Sequence, residues 1–180
     1  MEGSAATTRH RVTASTLAEA FRDTVARVPD RVAVRTLDDS TSLTWAQLRD
    51  RSDALAGGLA ALGVKRGDTV ALMFSNRPDF HVADLAVMTL GATPFSIYQT
   101  LAPNEIDYVV SDAGAKVAIV EQQYLEPFLA GVRWPLVPFL ASGAAGPQHL
   151  HVPAAQRHHA DDGGLRRGQH ERKLCPPQRH

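Results

Sequence analysis

The sequence predicts an α/β fold: a partial, doubly wound parallel sheet with flanking helices, followed by an irregular, disordered C-terminal tail. Three short apolar segments alternate with helical segments between residues 69 and 130. The connections between them are short, as in parallel sheets covered by helices. The periodic pattern stops after Val132, which predicts the tail.

Composition divides the chain into three regions, at residues 1–14, 15–132 and 133–180. The first is small and polar, and we expect it to be disordered. Residues 1–132 hold 12 Lys+Arg and 16 Asp+Glu, whereas residues 133–180 hold 7 basic and 3 acidic residues. This change from a net charge of −4 to +4 marks a boundary, and the Arg, His and Pro content after it predicts low order.

The first region of regular structure is a helix followed by a short strand. Ser15 or Thr16 is suited to cap a helix that runs to about Val28 and ends before Pro29. Residues 32–35 alternate in polarity, which predicts a half-buried strand.

A long helix is predicted from a capping box. Thr44 and Gln47 have the Thr-x-x-Gln spacing, and Gly63 stands where a left-handed residue ends a helix. Gly57 and Gly58 lie inside this helix, so they are not a dinucleotide-binding fingerprint; close helix packing explains them better.

Three strands are predicted at residues 69–74, 93–97 and 116–120, of which the first and third are of the buried type. Pro94 makes the start of the second strand less certain.

Three helices connect or follow these strands. Asn76 is suited to cap the first, which runs to about Leu90 and is apolar nearly all round, so we expect it to be buried on more than one side. The second begins at Pro103. The third covers residues 121–130 and is weakened by Pro127.

Small-residue and histidine-rich segments are the first candidates for a ligand site. Residues 142–146 (SGAAG) form a small-residue loop, but no lysine and no helix follow, so phosphate binding is disfavoured. The tail also carries side chains able to bind a transition metal, although nothing fixes their geometry, so a solvated tail is the better interpretation: His149, His151, His158, His159, Asp161 and Asp162.

Isolated polar residues on the helices are interpreted as structural. His81 stands next to apolar neighbours, which indicates a surface or half-buried histidine. Asp79 lies near a helix start, where its negative charge interacts favourably with the helix dipole and stabilises the helix by about 0.3–1 kcal/mol. Asp53 and Asp84 are single helix-face charges without a spacing suited to acid–base catalysis. We therefore assign no catalytic, cofactor-binding or metal-binding residue.

The bulk properties indicate a cytoplasmic protein. Cys175 is the only cysteine, which fits a reducing compartment. No apolar run reaches the ~20 residues of a spanning helix, and the N-terminus lacks the apolar core of a signal peptide. A net charge of zero gives no argument for nucleic-acid binding.

Several segments of the central region together resemble a known family. They occur in the family's order and spacing over about residues 15–130, at residues 43–48 (LTWAQL), 62–71 (LGVKRGDTVA), 75–80 (SNRPDF), 90–95 (LGATPF) and 111–117 (SDAGAKV). The family is that of the AMP-forming acyl-CoA synthetases, the adenylate-forming ligases. Residues 96–100 (SIYQT) resemble the long-chain fatty-acid branch.

The resemblance implies a reaction and its cofactors. Such ligases use ATP and Mg²⁺ to convert a carboxylate to an acyl-adenylate, then pass the acyl group to coenzyme A. Their phosphate loop, aromatic-x-x-Thr-Glu segment, ribose-binding Asp and catalytic Lys find no match here. We expect this chain to bind none of these cofactors. We expect it to bind an acyl substrate only when the missing part of the ligase is supplied.

The tail suggests a change of reading frame. The family pattern is intact to about residue 130 and then stops, so we hypothesise a frame change within residues 131–134.

Three functions remain open. The first is a truncated fatty-acid–CoA ligase, inactive alone. The second is a non-catalytic remnant or split-ligase subunit that binds a separately encoded remainder through an open sheet edge. The third is a small α/β binding domain with a metal-responsive tail.

Overall fold

The computed structural model describes residues 13–132 and 139–142. Its elements confirm the predicted α/β class. In chain order they are α1 (Leu17–Arg27), β1 (Val32–Arg35), β2 (Ser42–Thr44), α2 (Trp45–Ala61), β3 (Thr69–Met73), α3 (Pro78–Thr89), β4 (Thr93–Ser96), α4 (Pro103–Asp112), β5 (Ala115–Glu121), a 3-10 helix (Gln122–Tyr124), α5 (Leu125–Gly131) and β6 (Phe139–Ser142).

Four parallel strands form the main sheet, in the order β4-β3-β5-β6. The chain moves from β3 to β4 on one side and then returns to place β5 on the other side of β3. The carboxyl ends of β3 and β5 therefore flank the topological switch point, where open α/β sheets usually bind ligands. β1 and β2 form a separate antiparallel pair.

Two strands were not predicted. β2 precedes the long helix and ends at its predicted cap, Thr44, and it pairs with β1. β6 lies after Val132, where no regular structure was expected, and pairs in parallel with β5. Pro135 and Pro138, just before it, interrupt the apolar pattern from which a short strand is predicted. The remainder of the predicted tail, and residues 1–12, lie outside the described residues.

Helices cover both faces of the sheet, as the doubly wound prediction requires. On one face α2 and α3 pack against alternate strand residues, among them Val70, Leu72 and Ile119. On the other face α4 and α5 cover Ala71, Met73 and Val120. β3 and β5 are thus buried on both faces, which explains why their sequences are continuously apolar.

α1 and the β1–β2 pair extend the α2–α3 layer. Phe21 and Val25 of α1 pack with Leu43, Leu48 and Val82. α3 is therefore enclosed by the sheet, α2 and α1, which confirms that this helix is buried on more than one side. Among the described residues, its large apolar side chains are not exposed.

The ends of α2 follow the sequence prediction. Thr44 and Gln47 form the reciprocal capping box: the Gln47 N–H donates to Thr44 Oγ1 at 3.2 Å, and the Thr44 N–H donates to Gln47 Oε1 at 2.9 Å. Gly63 follows the helix with a φ of 89°, as predicted for a left-handed end.

Two predictions about helix starts were wrong. The N-cap of α3 is Arg77, which makes no side-chain capping bond, and Asn76 precedes it; Pro78 begins the helix with its fixed φ. The last helix begins at Leu125, after β5 has continued to Glu121. Pro127 lies in its first turn, where its missing N–H breaks no helical bond.

The edge strand β4 shows how Pro94 is accommodated. Thr93 and Ile97 donate their N–H groups toward β3, to the carbonyls of Asp68 and Leu72 at 2.9 and 2.8 Å. Alternation along the strand places the nitrogen of Pro94 on the outer side, where it interrupts no ladder bond.

The glycines of the helices differ in what surrounds them. Gly57 is exposed, and a Cβ there would have nothing within 4 Å, so close packing does not explain it. At Gly131 a Cβ would lie 2.6 Å from the carbonyl oxygen of Pro103 and 2.9 Å from Ile106 Cβ. The absence of a side chain at Gly131 is what lets α5 approach the start of α4.

We predict opposite effects of alanine at these two glycines. Gly57→Ala should raise the free energy of unfolding by about 0.5–1 kcal/mol, because alanine favours a helix interior. Gly131→Ala should lower it by about 1–3 kcal/mol through overpacking. Urea denaturation of the full chain measures both, and a Gly131→Ala protein as stable as the wild type would contradict the described α4–α5 contact.

A second stability prediction concerns Ser52 of α2. Its side chain is fully buried, and its Oγ has no hydrogen-bond partner among the described residues. Ser52→Ala should stabilise the protein by roughly 1–2 kcal/mol, because the desolvated hydroxyl is removed. The matched control is Ser111→Ala on the exposed side of α4, where only the helix-propensity gain of about 0.5 kcal/mol applies. Equal gains at both sites would contradict the orphaned hydroxyl.

Candidate functional site

Polar groups meet at the carboxyl ends of the two central strands. Ser75 follows β3, and Glu121 ends β5. The Ser75 N–H and the Ser75 hydroxyl both donate to Glu121 Oε2, each at 2.7 Å. The site is built across the switch point because parallel strands bring their carboxyl ends to one edge of the sheet.

Two further donors complete the coordination of this carboxylate. Arg77 Nη1 donates to Glu121 Oε1 at 2.8 Å, and Gln123 Nε2 donates to the same oxygen at 2.9 Å. Arg77 Nε also lies 3.2 Å from Asp79 Oδ2. Glu121 is only 4% exposed, so it is a buried carboxylate held by four donors.

The electrostatics of the cluster keep the carboxylate ionised. Burial by itself raises the pKa of Glu121, but the hydrogen bonds from Ser75 and Arg77, with the charge of Arg77, lower this pKa below its ordinary value overall. The hydrogen bond to Glu121 in turn raises the pKa of Arg77, against the opposing effect of burial.

A polar cleft of about 780 Å³ opens beside the cluster. Ser75, Arg77 and Glu121 line its sheet side, and the β1–β2 connection and α2 close the opposite side. The remaining lining is mostly hydroxyl, amide and guanidinium groups, from Thr36, Ser40, Thr41, Arg51, Gln122 and Gln123, with Pro78 and Asp79.

A smaller and more apolar cleft of about 250 Å³ lies between the ends of β3 and β4. Phe74, Phe80 and Ile97 supply its apolar surface. Gln99, on its rim, donates a hydrogen bond from Nε2 to the Phe74 carbonyl and so ties the two strand ends together.

The described contacts of the cluster are hydrogen bonds and ion pairs that converge on one carboxylate. The Glu121 carboxylate accepts from all four donors, one of which is the Ser75 hydroxyl. Within the described ranges, no group of three or more His, Cys, Asp or Glu side chains is placed to hold a metal ion.

The helix residues weighed from the sequence lie apart from this cluster, with one exception. His81 is an exposed histidine on α3 whose ring contacts Phe80, as interpreted. Asp53 pairs with Arg22 at 3.2 Å. Asp79 stands in the first turn of α3, as predicted, and joins the cluster through Arg77.

Asp84 is half-buried on α3. Burial raises the pKa of its carboxyl, and the nearby His81 opposes that shift. Of the small-residue loop at residues 142–146, where phosphate binding was disfavoured, only Ser142 is described, as the last residue of β6. The histidine-rich tail candidates lie outside the described residues.

Sequence reasoning missed the cluster itself. Ser75 and Arg77 entered only through the resemblance, and Glu121 was assigned to a helix start. The usable signal was that both Ser75 and Glu121 follow buried parallel strands, whose carboxyl ends are where open sheets place polar residues.

Among the helices that the structure describes, none combines the length and apolar composition needed to cross a lipid bilayer.

Comparison with protein-family models gives one match. The family of AMP-binding enzymes matches residues 21–168, which is more than three quarters of the chain. The match continues past residues 131–134, where a frame change was hypothesised; that hypothesis stays a prediction.

Known proteins similar to this chain include one of unknown role and one ligase. The uncharacterized protein Rv1549 of Mycobacterium tuberculosis is 45% identical over 112 residues, covering 62% of this chain and 64% of that protein. Human mitochondrial medium-chain acyl-CoA ligase ACSF2 is 27% identical over 117 residues, covering 65% of this chain and 19% of the ligase.

A similar solved structure is that of a Mycobacterium tuberculosis fatty acyl CoA synthetase. It is 27% identical with a TM-score of 0.64, covering 72% of this chain and 26% of the synthetase. The chain therefore spans just under two thirds of the uncharacterized mycobacterial relative and about a fifth to a quarter of the two ligases.

We predict that Glu121→Gln destabilises the protein by about 2 kcal/mol at neutral pH, because hydrogen bonds to the charged carboxylate are lost and a buried amide N–H₂ faces the Ser75 donors. The exposed Glu126→Gln of α5 is the control and should change stability by less than ~0.5 kcal/mol.

The pH dependence follows from the lowered pKa of Glu121. A carboxyl whose pKa is lower in the folded state stabilises the fold above its unfolded pKa and loses that effect as pH falls through the folded pKa. The stability difference between wild type and Glu121→Gln should therefore be constant at neutral pH and shrink below the ordinary pKa of 4.5. Urea denaturation across that range measures it, and a difference that grows on acidification would contradict the ionised cluster.

Proposed function

Because the chain belongs to the family of AMP-binding enzymes, we propose that it forms the N-terminal α/β scaffold of an ATP-dependent fatty-acid–CoA ligase. The observation that carries this proposal is the fold match to the fatty acyl CoA synthetase, which covers 72% of this chain but 26% of that enzyme. A match to about a quarter of a ligase supports a role as one part of such an enzyme.

The names of the relatives support a fatty acid as the substrate. The human relative is a medium-chain acyl-CoA ligase and the mycobacterial structure is a fatty acyl CoA synthetase. The resemblance of residues 96–100 to the long-chain branch points to the same class. Acyl chain length stays open within that class.

The cofactors of such a reaction would be ATP, Mg²⁺ and coenzyme A, and we propose that the described residues alone do not bind them. This is supported by the donors at the switch point, which are already bound to Glu121, and by the lack, within the described ranges, of a group of three or more metal-binding side chains. We therefore propose that the chain alone does not activate a fatty acid.

A second candidate is a split-ligase subunit that acts only with a separately encoded remainder. It is favoured by the uncharacterized mycobacterial relative, for which the same 112 residues make up similar shares of both chains. For either candidate we propose a cytoplasmic location, which suits a chain with the single cysteine Cys175.

We predict that the purified full chain, with ATP, Mg²⁺ and fatty acids of several lengths, gives no ATP–pyrophosphate exchange above background. The reason is that the transition state of adenylation needs charged groups that the described residues do not provide. Mycobacterium tuberculosis fatty acyl CoA synthetase, assayed in parallel, is the positive control.

The same assay separates the two candidates when the remainder of that synthetase, without the segment matched here, is added. Exchange that appears only on mixing supports the second candidate, the split-ligase subunit. No exchange in the mixture supports the first candidate, the inactive scaffold. Exchange by the chain alone would refute the proposed inactivity.

A further inference from the structure

The four donors around Glu121 form the kind of site that binds an anion. They are a backbone N–H, a hydroxyl, a guanidinium and a side-chain amide, at 2.7 to 2.9 Å from the two carboxylate oxygens. All four are hydrogen-bond donors, and Arg77 carries a positive charge. Such a set binds a carboxylate or another small oxyanion through charge-assisted hydrogen bonds.

The chain origin of the donors also resembles a ligand site. Three of them come from the connection between β3 and α3, where Ser75 and Arg77 precede the helix start at Pro78. In open α/β sheets this strand-to-helix connection at the switch point is the usual place for an anionic ligand. Here the anion comes from β5, a different strand of the same chain.

We propose that the switch point of this domain is a small-carboxylate site that Glu121 occupies in place of an external ligand. The carboxylate is 4% exposed at the base of the open cleft of about 780 Å³, which Ser75, Arg77 and Gln123 also line. Removal of the Glu121 side chain would extend this cleft to all four donors. Glu121→Ala removes one carboxyl group and the Cγ methylene, so formate and acetate are the small carboxylates that match the missing group.

This inference does not depend on the proposed function. It has one consequence for it: in a complete ligase, the acid substrate and the phosphates of ATP would bind away from this end of the sheet, since its donors are already used.

Chemical rescue tests the proposal. Glu121→Ala in the full chain should be less stable than the wild type, and sodium formate should restore stability in a saturable manner. At a formate concentration of ten times its Kd, the folding equilibrium constant should rise about tenfold. Acetate should act similarly, whereas chloride at equal ionic strength, which has no carboxylate oxygens to accept from the four donors, should not.

Two controls show whether the effect arises at this site. The double variant Glu121→Ala/Arg77→Gln should lose the formate response, because the charged donor is absent. The wild type should show only the small, non-saturating salt effect, because Glu121 fills the site.

The outcomes are read from urea denaturation or thermal unfolding at each formate concentration. If Glu121→Ala is unfolded in buffer, formate-dependent recovery of the folded signal is the same test, and Glu121→Ser serves as a milder second variant. Absence of a saturable formate response in both single variants would overturn the proposal. An equal response in the double variant would also overturn it.

Discussion

The parallel pairing of β3 with β5 is the constraint on which the rest of the structure depends. These two central strands are apolar on both faces, so they require a layer of helices on each side to exclude water. Strand β4 and strand β6 add to the outer sides of this pair, and the helices α2 to α5 are the connections that cover it. Loss of the pairing would leave both helical layers without a shared surface.

The same pairing creates the polar cluster. Ser75 and Glu121 are 46 residues apart in sequence, and only the parallel register brings them together at one edge. A buried carboxylate at that edge is costly unless it is fully hydrogen-bonded. Ser75, Arg77 and Gln123 meet this requirement, so the cluster closes the sheet end and fixes the β3–α3 connection against β5.

Local sequence signals predicted the elements whose cause is local. The Thr44–Gln47 capping box, the left-handed Gly63 and the continuous apolar strands each follow from neighbouring residues, and each was confirmed. Strand β6 was missed because its stability comes from pairing with β5, and the Glu121 cluster was missed because its partners are distant in sequence. Gly57 was misinterpreted because a glycine in a helix does not reveal from sequence whether it faces a neighbour or solvent.

The position of Pro94 on the outer side of β4 bears on self-association. An exposed edge strand normally offers alternating N–H and C=O groups on which another strand can assemble. Pro94 removes a donor in the middle of a four-residue edge, so sheets of two copies cannot continue through this side with a complete ladder. A partner that binds by adding a strand would therefore pair poorly with β4. The same missing donor protects this edge from pairing with other copies into extended sheets.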